Sequence, residues 1–248
     1  MRLNLAASAE RPLGAVPRYV LVLLAATLAA QIGWQASRPP PRARAEALGV
    51  PAAQPVLLAA SLGEPIALAQ WLTLYLQAFD NQPGVSIPFR NLDYPHVIRW
   101  LETILGLDPV TEYPLMMASQ LYGQVPDQAR QRLMFDFVHR KFLEDPDRRW
   151  RWLAHCAILA KHRLKDMALA LKYAEDITQH ARAASGWARQ MRIFILEDMG
   201  ERQSATVLLG GLLASGEVTD PSEIHFLTQR LMELKNAEKS SFLSKSRR

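Results

Sequence analysis

Residues 152–177 read WLAHCAILAKHRLKDMALALKYAEDI, and residues 187–212 read WARQMRIFILEDMGERQSATVLLGGL. Sliding the first stretch onto the second by 35 positions pairs Trp152 with Trp187, Cys156 with Met191, Ile158 with Ile193 and Leu159 with Phe194. The same slide pairs Leu164 with Met199, Asp166 with Glu201, Ala170 with Ala205, Tyr173 with Leu208 and Ile177 with Leu212. Apolar positions fall on apolar positions and turn on turn, as stacked helix pairs require. Trp152, Cys156, Tyr173, Trp187, Phe194 and Ala205 are therefore expected to form the core of the repeat.

Working outward, the remaining chain punctuates into helices. Helical spacing of apolar residues predicts helices at 65–79 and 94–105, and near 113–122 and 126–143. Further helices are expected at 149–162, 166–180, 185–198, 202–214 and 222–235. Asp108-Pro109, Asp145-Pro146 and Asp220-Pro221 read as helix starts, with Asp capping free amides and Pro at the first helical position. No stretch alternates with period two, so no strand is expected. The fold class predicted is all-α, a helical-hairpin solenoid of about nine helices occupying residues 56–236. Gly210-Gly211 reads as a close helix approach.

Upstream, Tyr19–Ala36 (YVLVLLAATLAAQIGWQA) carries no formal charge and is flanked by Arg18 and Arg38. About 20 apolar residues cross a bilayer, and Tyr19 and Trp34 sit where interfacial aromatics belong. The first reading is a signal anchor spanning the membrane at 19–36. A cleaved signal peptide and an interfacial helix share the pattern. Residues 1–18 form a basic leader to it, and the Pro/Ala/Arg stretch 37–55, with Pro39, Pro40 and Pro41, reads as an extended linker with nothing to bury. Such a linker would hold the body away from the membrane. Arginines on both sides of the span determine orientation weakly. The preferred reading puts the body outside, in the periplasm of a bacterium with an inner membrane; a cytoplasm-facing adaptor is the alternative.

The net charge of +5 sits at the ends. Residues 1–46 carry six Arg against two Glu, and residues 235–248 carry five cations against one Glu, which leaves the body acidic by three charges. A body without clustered cations is a poor nucleic-acid binder. Residues 237–248 are expected to be a mobile basic tail. The single cysteine forbids an intrachain disulfide.

The segment Asp166–Asp176 (DMALALKYAED), behind a Trp-led helix, resembles the second helix of a tetratricopeptide repeat, with Ala157 standing near the signature's glycine. Residues 93–109 (DYPHVIRWLETILGLDP), followed by Tyr113-Pro114, are similar to single-span bacterial envelope proteins of tetratricopeptide type. The resemblance covers about residues 59–234. It implies scaffolding, assembly or tethering through a protein partner in or near the membrane, and it brings no catalytic residues, cofactor or small-molecule substrate.

Three local features are weighed as sites. His155, Cys156 and His162 are the nearest thing to a metal cluster, but Cys156 points away from both histidines and pairs with a core position, so packing is preferred over metal. The loop Phe79–Arg90 (FDNQPGVSIPFR) is long for a helix connection, and Phe79, Asp80, Asn81, Phe89 and Arg90 are candidates for partner contact. The competing reading has Val85, Ile87 and Phe89 capping the end of the solenoid. In RRWRW (148–152), Arg148, Arg149 and an exposed Trp150 are candidates for an acidic partner or lipid headgroups, against a solvated face. No nucleophile elbow, zinc-helix motif or phosphate loop is present, so a hidden enzyme is the least favoured reading.

Overall fold

The computed structural model describes residues 17–38, 45–216 and 218–245. They divide into two units, one ending at Arg44 and one beginning at Ala45.

Among its described residues the first unit holds one helix, α1 (Arg18–Ala36), with every side chain exposed. It is long and apolar enough to cross a membrane. At its carboxyl end the Arg38 guanidinium lies 4.9 Å over the Trp34 ring.

Ten helices build the second unit: α2 (Gln54–Ala60), α3 (Pro65–Ala78), α4 (Tyr94–Leu107), α5 (Tyr113–Met116), α6 (Gln128–Glu144), α7 (Pro146–Leu159), α8 (Met167–His180), α9 (Gly186–Asp198), α10 (Arg202–Ser215) and α11 (Pro221–Lys245). The all-α class holds. Each of the main packing partners is close in the chain: α3 on α4, α6 on α7, α7 on α8, α8 on α9, α9 on α10 and α10 on α11. One core runs from Leu48 to Ile195, with Tyr94, Phe135, Phe137, Phe142 and Tyr173 fully buried. A second, smaller core joins Ile193, Ala205, Leu209, Leu227 and Leu234.

Aspartates set the helix starts. Asp93, Asp127 and Asp166 each accept a hydrogen bond from the backbone amide three residues on, at 3.1, 3.0 and 2.9 Å. The Asp-Pro steps divide. Asp220 Oδ1 accepts the amides of Ser222 and Glu223 at the head of α11, and Pro146 opens α7 without a side-chain cap. Asp108 instead ends α4 and turns the chain by accepting the Val110 amide at 3.2 Å, so no helix starts at Pro109.

The 35-residue offset carries the bounds of α8 onto those of α10. It also carries Lys165 (φ 56°) onto Gly200 (φ 84°), so both turns pass through the left-handed region before the second helix. Ala170 and Ala205 are both fully buried. The match fails at Trp187, 52% exposed where Trp152 is partly buried, and the pairs Ile158–Ile193 and Leu164–Met199 each set an exposed residue against a buried one.

Four expectations need correction. The loop after α3 contains a two-stranded antiparallel hairpin, Asn81–Gln82 with Val85–Ser86, too short to leave a periodic signal. The expected linker 37–55 is not free throughout, because residues 45–53 are strapped to the body. Leu48 is buried, its carbonyl meets His96 Nδ1 at 2.7 Å, and Trp100 Nε1 donates to the Gly49 carbonyl at 2.8 Å. The expected tail from 237 is helical to Lys245, since nothing between Lys235 and Lys245 stops a helix. Around Gly210 and Gly211 there is open space, with no atom within 4 Å of an added Cβ, so no helix approaches closely there.

Candidate functional site

The Phe79–Arg90 loop is built from the inside out. Phe79, Ile87 and Phe89 pack partly buried against the main core, and Phe89 meets Tyr122 edge-on at 5.7 Å. The Asp80 carbonyl accepts the Ile87 amide at 2.6 Å, which closes the hairpin, and Gly84 (φ 76°) makes its turn. Gln82 ties the hairpin to the strap: its Oε1 accepts the Glu46 amide at 2.8 Å and its Nε2 donates to the Glu46 carbonyl at 3.1 Å. The loop therefore closes the end of the core and also presents polar groups, since Asn81 and Arg90 are exposed while Asp80 is half-buried. Between strap and loop lies a groove of about 360 Å³, walled by Leu48, Phe79, Val85 and Ile87.

The Arg/Trp segment is not the exposed face expected. Arg148 is exposed and pairs with Asp145 at 3.0 Å, but Arg149 and Trp150 are buried. The Arg149 guanidinium donates to the Lys141 carbonyl at 2.6 Å, to Glu144 Oε2 at 3.1 Å and to the Pro109 carbonyl at 3.1 Å. It joins the end of α6 to the turn after α4, a structural task suited to a planar fork of donors. The neighbouring cations on Glu144 hold its carboxyl below the usual range, although its partial burial opposes them. Trp150 packs edge-on against Trp187 at 5.7 Å, with the Arg151 guanidinium 5.4 Å over its ring. Trp152, on the opposite side of α7, donates from Nε1 to Glu112 at 3.0 Å.

Among the intended core residues, Cys156, Tyr173 and Ala205 are fully buried. Phe194 is partly buried in the smaller core beside Phe226. Burial pushes the Cys156 thiol far up, so it is no nucleophile at neutral pH. His155 is half-buried and His162 exposed, and no group of metal-type donors converges among the described residues. A largely buried polar pair, His139 Nε2 with Asp176 Oδ2 at 2.7 Å, has the Tyr173 ring 5.1 Å from the imidazole and fastens α6 to α8.

One feature escaped the sequence reading. Between α8, α9 and α10 lies a cleft of about 530 Å³. Arg182, Arg189 and Arg192 line it, over an apolar floor that includes Ile193, Leu208 and Leu212. Thr178 on α8 holds one wall by donating to the Arg189 carbonyl at 3.1 Å. Gly211 leaves the opposite wall low. Arg189 and Arg192, three apart on one helix, were the available signal, but the net acidity of the body concealed it. The chain matches no known family model, no curated protein and no solved structure.

Proposed function

We propose that this chain is a membrane-anchored, non-catalytic helical-repeat scaffold that docks another envelope protein or assembles a membrane complex. In this reading α1 crosses the inner membrane once, the body is periplasmic, and the helices of the body form a tetratricopeptide-like solenoid. Serial packing of neighbouring helices and the 35-residue correspondence between α8 and α10 support the architecture.

The observation that carries the binding reading is the α8–α9–α10 cleft. An apolar floor beside the Arg182 and Arg192 guanidiniums suits a segment that is apolar on one side and acidic on the other. The loop surface around Asn81 and Arg90 is a second contact candidate. Confinement by the anchor raises the local concentration of a membrane-bound partner.

The test is photo-crosslinking of the full-length protein in its native membrane, with the crosslinker at Val207 in the cleft, at Arg90 in the loop, or at Leu133 on α6. A discrete protein adduct from Val207 or Arg90 but not Leu133, diminished for Val207 by the double change Arg182→Glu and Arg192→Glu, is the expected result. Identical patterns at all three positions would sink the docking reading. A reporter fused after residue 248 separates the periplasmic from the cytoplasmic orientation.

A further inference from the structure

Residues 47–79 contain one charged side chain, Glu64, yet many of them are exposed. In α3, Ala69, Leu72 and Leu76 face the core. The opposite side presents Ile66, Ala67, Gln70, Trp71, Leu74, Tyr75 and Ala78 to the outside. A surface helix normally turns charged residues to water, and one apolar all round belongs in a core or in contact with lipid. Trp71 and Leu74 are 59% and 63% exposed, and the Trp71 and Tyr75 rings lie nearly parallel with centroids 6.0 Å apart.

A second observation concerns the corner between α2 and α3, where the helices are bent by 111°. Its tip is Leu62, 92% exposed and in the left-handed region at φ 51°. A leucine there is disfavoured both by its backbone and by water. Val56 and Leu58 on α2 are exposed beside it in the chain. The corner and the outer side of α3 are both apolar and exposed. Taken together, α2 and α3 have the length and composition of a membrane span, broken at this corner, which matches an apolar medium.

We propose that the α2–α3 corner is a membrane-contact surface, with Leu62 and Leu74 in the boundary between headgroups and acyl chains and Trp71 and Tyr75 at headgroup level. This rests on the reading of α1 as a membrane anchor, which confines the body to a bilayer surface. The chemistry fits: aromatic rings with polar edges favour the interface, and aliphatic tips favour the acyl boundary. The polar side that a free interfacial helix needs is replaced here by packing of α3 on α4.

The experiment places one nitroxide at a time, in a Cys156→Ala background, on the full-length protein in phosphatidylethanolamine/phosphatidylglycerol liposomes. The positions are Leu24→Cys in α1, Leu62→Cys, Leu74→Cys and Ile158→Cys on α7. Collision rates with oxygen and with a water-soluble nickel chelate report depth. The expected result is a deep label at 24, shallow lipid exposure at 62 and 74 with an oxygen-to-nickel ratio several-fold above that at 158, and an aqueous label at 158. If 24 is deep but 62 and 74 match 158, the corner does not touch lipid and the inference falls alone. If 62 and 74 are shielded from both reagents, a protein surface covers them and the inference also falls. An aqueous label at 24 overturns the anchor reading and this inference with it.

Discussion

Arg149 shows how a side chain that reads as surface becomes structural. Its guanidinium serves two carbonyls and a carboxylate from two separate segments. Lysine keeps the charge but not the fork, so Arg149→Lys is expected to cost about 2–3 kcal/mol in chemical denaturation, through carbonyls left unpaired. Cys156 was legible because its repeat partner is a methionine, an apolar residue. Trp150 was not, because the reading allowed α7 one buried side, whereas a helix packed between two neighbours buries opposite sides. His155 supplies a pH signature. Burial, and then Arg163, push its imidazole below the usual value of 6.5, so the unfolded chain binds the proton more readily. The contribution of His155 is therefore intact above about pH 6.5 and is lost as pH falls through that value towards the folded one. Denaturation midpoints at pH 7.5 and 5.5 are expected to differ less in His155→Gln than in the parent protein.

At the scale of elements, helix extents followed closely from caps and periodicity, as α8 illustrates. The signals are local there: an aspartate accepting the amide three residues on, a left-handed residue at the preceding turn, a stripe of apolar side chains. What could not be read depended on partners distant in sequence. The strap is held through Leu48 by residues about 50 positions later, and its composition gives no hint of this. The three-arginine cleft likewise combines three helices. Asp166 caps α8 and also pairs with Arg132 at 2.8 Å. Its carboxyl is held below the usual range first by the Leu169 amide and then by Arg132. That stabilisation is present above the unfolded value and fades as pH falls through the folded one. Asp166→Ala is expected to destabilise by about 1 kcal/mol at neutral pH, with a smaller deficit at pH 3. Gly210→Ala is expected to stabilise by roughly 0.5–1 kcal/mol, since a helical glycine is replaced where nothing obstructs the methyl group. Thermal melts of the two variants would check both signs.

For the whole molecule, the unequal division of the core is decisive. The large core holds the fully buried aromatics, while the second rests on five buried apolar residues from α9, α10 and α11. Hydrogen exchange is therefore expected to be fastest in α10 and α11 and slowest in α6, α7 and α8; uniform protection would contradict the division. The order of packing has a further consequence. Because the principal partners of each helix lie one or two elements away, no long stretch must wait for a distant complement. A chain emerging amino end first, from a ribosome or a translocation channel, can lay each helix on one already in place. Of the described helices, α10 and α11 come after the others in the chain and rest on the smaller core.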